Sequence, residues 1–213
     1  MVRPLLILVS AVVALGAAPA RADERSYMLT GFERIRVEGP FDVEVTTGAS
    51  AAARAEADVR ALDTVSLRVN GTTLVVSPGT GGWGGFPDAK ASAPTVRVTV
   101  PMLQAVTVSG GGRLSVTRMR SQRIDLFLTG SGAIDVAEIN ADQLNVNLVG
   151  TGRVTLAGQA HVARVQTNGA GAIEATGMAA DTLTVSGQSA GDASFTARTS
   201  ATVAALGSGT IRI

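Results

Sequence analysis

Paired glycines punctuate the second half of this chain at a nearly constant interval, and that interval decides most of what the chain can become. The pairs are Gly110/Gly112, Gly130/Gly132, Gly150/Gly152, Gly169/Gly171, Gly187/Gly191 and Gly207/Gly209. Successive first glycines lie 20, 20, 19, 18 and 20 residues apart. The flanks repeat with them. Four and two residues before each first glycine come Val106/Val108, Leu126/Leu128, Val146/Leu148, Val165/Thr167, Leu183/Val185 and Val203/Ala205. Two and four residues after each second glycine come Leu114/Val116, Ile134/Val136, Val154/Leu156, Ile173/Ala175, Ala193/Phe195 and Ile211/Ile213. Alternation with period two is the mark of strands.

Each repeat therefore reads strand, Gly-x-Gly corner, strand, polar turn. Glycine suits the corner because it takes positive φ without a Cβ clash. A period near 20 is too short for a helical hairpin repeat. It fits one rung of an all-β solenoid, a parallel β-helix in which each strand pairs with its equivalent one rung away. Six rungs at about 4.8 Å give a stack roughly 25–30 Å long. Small aliphatic side chains would fill its interior, layer on layer, and the seven aromatics among 213 residues agree with that.

Composition bounds the rest. With 46% apolar and 16% charged residues, the chain can bury a core and is not intrinsically disordered. It has no cysteine, which excludes disulfides, thiolate metal sites and a cysteine nucleophile. A single histidine, His161, excludes metal sites built on several histidines. No cofactor or metal is expected. A formal charge of +1 excludes a strongly basic nucleic-acid binder.

Residues 1–22 read as a secretory signal peptide. Arg3 precedes an apolar run from Leu5 to Ala18, and Ala18-Pro19-Ala20 and Ala20-Arg21-Ala22 are both A-x-A cleavage patterns. The run is shorter than the about 20 residues that span a bilayer. No later run is long enough, so no membrane span is expected after cleavage. Loss of Arg3 and Arg21 takes the formal charge from +1 to −1. The expected location is the periplasm or the cell exterior.

The first half of the chain is organised differently. Residues 23–30 are expected to be a flexible lead-in, and 31–213 a single domain. Phe32 to Val37 and Phe41 to Val45 alternate cleanly about a Gly39-Pro40 turn. Leu67 to Val69 and Thr72 to Val76 flank Asn70-Gly71, which predicts a hairpin with a type I′ turn. Ser50 to Leu62 reads as a strand and then a short turn. A loop rich in glycine spans 78–94 and carries Trp83 and Phe86, and strand resumes at Val96. This part, 31–100, is expected to continue the same stack as the regular repeats of 101–213.

The segments "GFERIRVEGPFDVEVTTG", "NGTTLVVS" and "VRVTVPMLQAVTVSG", with the successive "TGSG", "VGTG", "NGAG" and "LGSG" corners, resemble the bacterial DUF2807 family, the head GIN domain of auto-transporter adhesins. The resemblance covers roughly 31–213. Ser109-Gly110-Gly111-Gly112 and Gly187-Gln188-Ser189-Ala190-Gly191 depart from the family's recurrent S-G-S-G corner. The resemblance implies a right-handed parallel β-helix exported to the cell envelope. It supplies no catalytic residues. A membrane translocator barrel has no room in this length.

Several motifs invite chemistry and lack its context. Gly187-Gln188-Ser189-Ala190-Gly191 matches the nucleophile elbow, but no helix pattern follows and His161 precedes the serine. Gly79-Thr80-Gly81-Gly82-Trp83-Gly84 matches a phosphate-binding fingerprint, but Pro87 and a loop follow instead of a helix. Gly130-Ser131-Gly132-Ala133-Ile134-Asp135 resembles a calcium repeat, without its nine-residue period. His161 falls in a turn and is expected to be solvated.

Two surfaces remain as candidates. Asp125, Asn145 and Arg164 each stand five residues before a first glycine, which puts them on adjacent rungs. A polysaccharide lyase on this scaffold needs clustered carboxylates for calcium and an arginine base, and this column has one carboxylate. Trp83 and Phe86 form the other candidate, an aromatic pair on an adaptable loop suited to a sugar or to capping the solenoid. The reading that follows is an exported, non-catalytic envelope or secreted protein. It would be adhesive or scaffolding, meeting an envelope or host glycan or protein through the β-helix surface. The rival is a lyase-like enzyme on the same scaffold. An uncapped last rung would also let the chain associate with itself end to end.

Overall fold

A computed structural model describes residues 23–27, 31–48, 50–57, 65–79 and 95–213. Its strands in chain order are β1 (Asp23–Tyr27), β2 (Arg34–Glu38), β3 (Asp42–Thr47), β4 (Ala52–Ala57), β5 (Val65–Asn70), β6 (Thr73–Pro78), β7 (Thr95–Val100) and β8 (Ala105–Gly110). They continue with β9 (Arg113–Val116), β10 (Met119–Gly130), β11 (Ala133–Gly150), β12 (Arg153–Gly169), β13 (Ala172–Ser189), β14 (Ala193–Leu206) and β15 (Ile211–Arg212). There is no helix among the described residues, and so none long and apolar enough to cross a membrane. The protein is a parallel β-helix.

Three flat faces follow from the pairing register. The first carries the strand before each glycine corner, so that β8, β10, β11, β12, β13 and β14 stack in parallel with Gly110, Gly130, Gly150 and Gly169 in register. The second carries the strand after the corner, where Val116, Val136, Leu156, Ala175 and Phe195 belong to successive rungs. The third is narrower. Met119, Ile139, Gly158, Met178 and then Thr196 and Ala197 follow one another there.

Every second residue on these faces points inward, as the alternation requires. One interior column runs from end to end of the first face: Leu74, Ile35, Val106, Leu126, Val146, Val165, Val185, Val203. All but Val203 are buried. No buried side-chain polar atom among the described residues lacks a hydrogen-bond partner.

The two glycines of each corner are needed for different reasons, which corrects the single reason drawn from the sequence. Positive φ belongs to the first glycine alone. Gly130 takes φ +115°, a region an L side chain rarely occupies. The second glycines, Gly112, Gly132, Gly152 and Gly171, have no positive φ. They are buried instead, pressed against the rung beneath. A Cβ at Gly132 would stand 2.3 Å from the carbonyl oxygen of Gly112. At Gly152 it would stand 2.5 Å from the Gly132 carbonyl oxygen and 2.7 Å from the side chain of Leu128. Gly152 is thus an interior packing position that offers nothing to a ligand at the surface.

A third kind of glycine, Gly158, turns from the second face to the third with φ +119°. Two residues between Val136 and Ile139 do this work in the neighbouring rung, where the register shifts. The shorter turn accounts for the 19-residue spacing between Gly150 and Gly169.

The register corrects the repeat at one further point. Gly187 stacks on Thr167, not on a corner glycine, and Ser189 takes the place above Gly169. Ala190 N–H donates to the Gly169 carbonyl, as Ala170 N–H does to Gly150 one rung earlier. The corner of that rung is therefore Ser189-Ala190-Gly191. The apparent shift is two residues, and two residues leave every side chain on the same face.

The N-terminal layers are shuffled. β2 and β3 come early in the chain, yet they sit between β6/β7 on one side and β8/β9 on the other. The chain skips over them from Val100 to Ala105, with Leu103 buried at the crossing. β5 then closes the first face antiparallel to β6, while on the second face β4 adds antiparallel to β7 and β1 adds antiparallel to β4. The Asp23–Tyr27 stretch, which the sequence reads as flexible, is strand β1. The β5–β6 hairpin also differs in detail. Asn70 pairs with Thr73, so the two loop residues are Gly71 and Thr72. Gly71 alone has positive φ, at +60°. That fits a type II′ turn, whereas type I′ requires positive φ at both loop positions.

Candidate functional site

Outward positions on the first face form three columns across the rungs. One runs Ala105, Asp125, Asn145, Arg164, Thr184, Thr202. Asp125, Asn145 and Arg164 do occupy adjacent rungs. Asn145 Nδ2 donates to Asp125 Oδ1 at 2.8 Å, and Arg123 Nε reaches both carboxylate oxygens at 3.1 Å. The lone carboxylate of this column is thus occupied by two neighbours. Asp135 and Glu174 share a column of the second face and lie two rungs apart, with Thr155 between them. Glu174 is engaged by Arg153. No group of three or more acidic, histidine or cysteine residues is placed to hold a metal among the described residues.

The next first-face column runs Thr107, Phe127, Asn147, Gln166, Ser186. Asn147 Nδ2 donates to Gln166 Oε1 at 3.2 Å. Phe127 is 43% exposed, high for a large apolar residue. The third column runs Ser109, Thr129, Val149, Asn168, Gln188. The result is a flat lattice of amides and hydroxyls with two apolar islands, Phe127 and Val149, on neighbouring rungs. Two shallow grooves cross it. One, of about 470 Å³, lies among Arg34, Arg36, Asp125 and Phe127. The other, of about 360 Å³, lies among Asn147, Gln166, Asn168 and Gln188. A groove of about 520 Å³ on the second face lies among Glu44, Thr46, Ser115, Thr117, Asp135 and Ala157. Glu44 is held there by Arg97 at 3.0 Å.

Charged residues pair at the repeat interval. Arg118 Nε meets Glu138 Oε2 at 2.7 Å, twenty positions on. His161 Nδ1 lies 2.7 Å from Asp181 Oδ2 on one neighbouring rung, and Nε2 lies 4.0 Å from Asp142 Oδ1 on the other. Arg198 extends the ladder to Asp181 at 3.8 Å. His161 lies within strand β12 rather than in a turn, and it is exposed but paired rather than merely solvated. The hydrogen bond and the negative charge of Asp181, aided by Asp142, raise its pKa above the ordinary 6.5. A search for opposite charges twenty positions apart finds Arg118–Glu138 and His161–Asp181, whereas Asp142–His161 at 19 and Asp181–Arg198 at 17 fall off that lag.

Trp83 and Phe86 lie outside the described residues, as does the signal segment 1–22. The serine of Gly187-Gln188-Ser189-Ala190-Gly191 ends a β-strand and enters a corner, with no helix behind it. The Gly130-Ser131-Gly132 stretch is an ordinary corner, with Ser131 N–H donating to the Gly110 carbonyl.

A family model described as "Putative auto-transporter adhesin, head GIN domain" matches residues 31–213. The chain belongs to the DUF2807 family. Solved structures share its fold. A "putative adhesin" from Bacteroides fragilis superposes with a TM-score of 0.77 at 21% identity, covering 91% of this chain and 97% of that one. A "Putative lipid binding protein" from Parabacteroides distasonis gives 0.66 at 17%, covering 91% and 97%. A "putative adhesin" from Parabacteroides merdae gives 0.60 at 18%, covering 91% and 96%. These structures stand at identities where likeness speaks for the fold alone. A search of curated proteins finds no match.

Proposed function

We propose that this chain is an exported, non-catalytic adhesive protein that holds a polysaccharide, of the cell envelope or of a host surface, against its first face. The observation that carries this reading is the lattice of Asn145, Asn147, Gln166 and Asn168 beside the exposed ring of Phe127. A primary amide offers donors and an acceptor together, which suits neighbouring sugar hydroxyls. An aromatic ring offers an apolar platform for the C–H face of a sugar. The rungs repeat every about 4.8 Å, so an extended polymer meets the same chemistry many times. Many weak contacts on one strand then add as avidity.

The adhesin family and the leader-like residues 1–22 support export to the envelope. The lyase-like reading has less support, because Asp125 is already bonded to Asn145 and Arg123. The test is binding of the purified protein to peptidoglycan, lipopolysaccharide and common polysaccharides. The double variant Asn147→Ala with Gln166→Ala, and Phe127→Ala separately, should each weaken binding at least tenfold. Thr46→Ala on the second face should not. Binding that survives both first-face changes overturns the reading, and its loss in Trp83→Ala would move the contact to the 78–94 loop. Polysaccharide turnover abolished by Asp125→Ala or Arg164→Ala would make the protein an enzyme instead.

A further inference from the structure

We propose that the bound polysaccharide is an acidic one, and that a carboxylated sugar of its chain lies in a trough along β8 with its carboxylate on Arg34 and Arg36. This rests on the polysaccharide reading above and names the class of chain. The trough follows from side-chain size in three adjacent strands. The outward residues of β8 are small: Ala105, Thr107 and Ser109. On one side the register sets Arg34, Arg36 and Glu38 of β2 beside them. On the other it sets Asp125, Phe127 and Thr129 of β10. Larger side chains on strands about 10 Å apart thus wall a floor of small ones. This is the groove of about 470 Å³ on the first face, a volume that suits a small ligand.

The two walls differ in chemistry. On the β10 wall Phe127 is exposed, and the acid beside it is already satisfied. Asp125 accepts from Asn145 at 2.8 Å and from Arg123 at 3.1 Å. The β2 wall carries two exposed arginines. Arg36 meets Glu38 at 3.7 Å, longer than a hydrogen bond. Arg34 makes no ion pair among the described residues. Arg68 adds to this end of the face. It pairs with Val75, which pairs with Arg36, so it stands in the same outward column. Beyond Phe127 that column is uncharged, at Asn147, Gln166 and Ser186. Positive charge is therefore in surplus at the trough and not along the amide lattice.

That surplus selects the ligand. An exposed guanidinium without a carboxylate of its own chain can take one from a ligand through two parallel N–H···O bonds. Arg36 and Phe127 stand opposite each other across Thr107. A sugar with a carboxylate on one edge and a C–H face on the other matches an arginine wall facing an aromatic one. The hydroxyls of Thr107 and Thr129 suit its remaining polar groups. A neutral sugar would leave the arginines unused.

The test is calorimetry of the exported, purified chain with polygalacturonate, alginate and hyaluronate, each beside its methyl ester, which keeps the sugars and removes the charge. At least one acidic polymer should bind at least tenfold more tightly than its ester, and added salt should weaken it. Arg34→Gln should lose at least fivefold of that preference. Arg113→Gln removes the same charge from an exposed position on the second face and should lose none. Arg34→Lys keeps the charge without the fork and should fall between wild type and Arg34→Gln. Thr107→Tyr fills the trough at an outward strand position that accepts an aromatic, and it should weaken acid and ester alike. Acid and ester bound equally overturn the proposal. If Asn147→Ala with Gln166→Ala still weakens that binding, the polysaccharide reading stands without an acidic preference. A preference reduced alike by Arg34→Gln and Arg113→Gln is attraction to overall charge and overturns the proposal too. Failure of every acidic polymer also overturns it: with neutral polysaccharides bound the parent reading survives, and with none bound both fall.

Discussion

The two ends of this solenoid are built from the same kind of layer and finished in opposite ways. At the N-terminal end, Leu74 begins the inner column of the first face and is fully buried, with β5 paired beyond it. At the C-terminal end Val203 closes the same column and is nearly half exposed. A rung buries its inner side chains only when another layer follows, so stability in a solenoid is a matter of neighbours. The N-terminal end solves this by reversing strand direction. β4 and β5 run antiparallel to the layer they cover and interrupt the parallel stack.

Matched substitutions in the shared column should give the largest contrast. Leu74→Ala should cost about 2–5 kcal/mol, the range for a fully buried leucine. Val203→Ala should cost under about 1 kcal/mol in the monomer, because much of its side chain is already in water. Denaturant midpoints of the two variants at low concentration measure this. Equal losses would mean that the C-terminal rung is covered in the monomer.

Glycine replacements should separate the middle from the end by less. A Cβ at Gly132 meets the Gly112 carbonyl at 2.3 Å with rungs packed on both sides, and about 1–3 kcal/mol should be lost in Gly132→Ala. A Cβ at Gly209 meets the Gly191 carbonyl at 2.1 Å, but there the terminal corner can shift outward. Gly209→Ala should therefore be close to neutral. A comparable loss at Gly209 would show the last corner to be as constrained as the interior ones.

The smallest effect belongs to the corner ladder near the C-terminal end. The pKa of His161 is raised in the folded chain by Asp181 and Asp142. Its contribution is full below the unfolded value of about 6.5 and is lost as pH rises through the raised value. The melting temperature of the wild type should exceed that of His161→Gln slightly at about pH 6, and the difference should fade by about pH 8. A difference that grows with pH would mean that the aspartates do not stabilise the imidazolium.

Much of the fold was legible because it is written twice, once in glycine spacing and once in alternation. Ile134, Val154 and Ile173 could be stacked in advance, and the structure stacks them so. Four things escaped. The place of Gly187 was ambiguous because a slip of two residues preserves every facing. The burial of Gly152 and its equivalents depends on the rung beneath, which a residue's own neighbours in sequence do not reveal. The threading of β2 and β3 between later strands is a long-range fact that no local pattern records. The hairpin turn moved by one residue because Asn70 extends its strand and leaves the positive φ to Gly71 alone. Of the surface, the column Asp125, Asn145, Arg164 could be placed rung by rung. The neighbouring lattice around Phe127 was not singled out, since an outward aromatic in an alternating strand looks like any other residue until its exposure is known.

The early burial of β2 and β3 has a consequence for how such a molecule can change length. Because the first rung in the chain is clasped between strands that arrive later, losing or gaining a segment there would break the clasp. Between Gly112 and Gly150 the rungs stack residue for residue at an interval of 20, and each contributes one corner and three facings. A tandem duplication of residues 131–150 would insert one more rung, lengthening the molecule by about 4.8 Å while leaving both ends as they are. The protein is in this sense a ruler with one fixed end, and its reach is a quantity that recombination can alter without redesigning the fold.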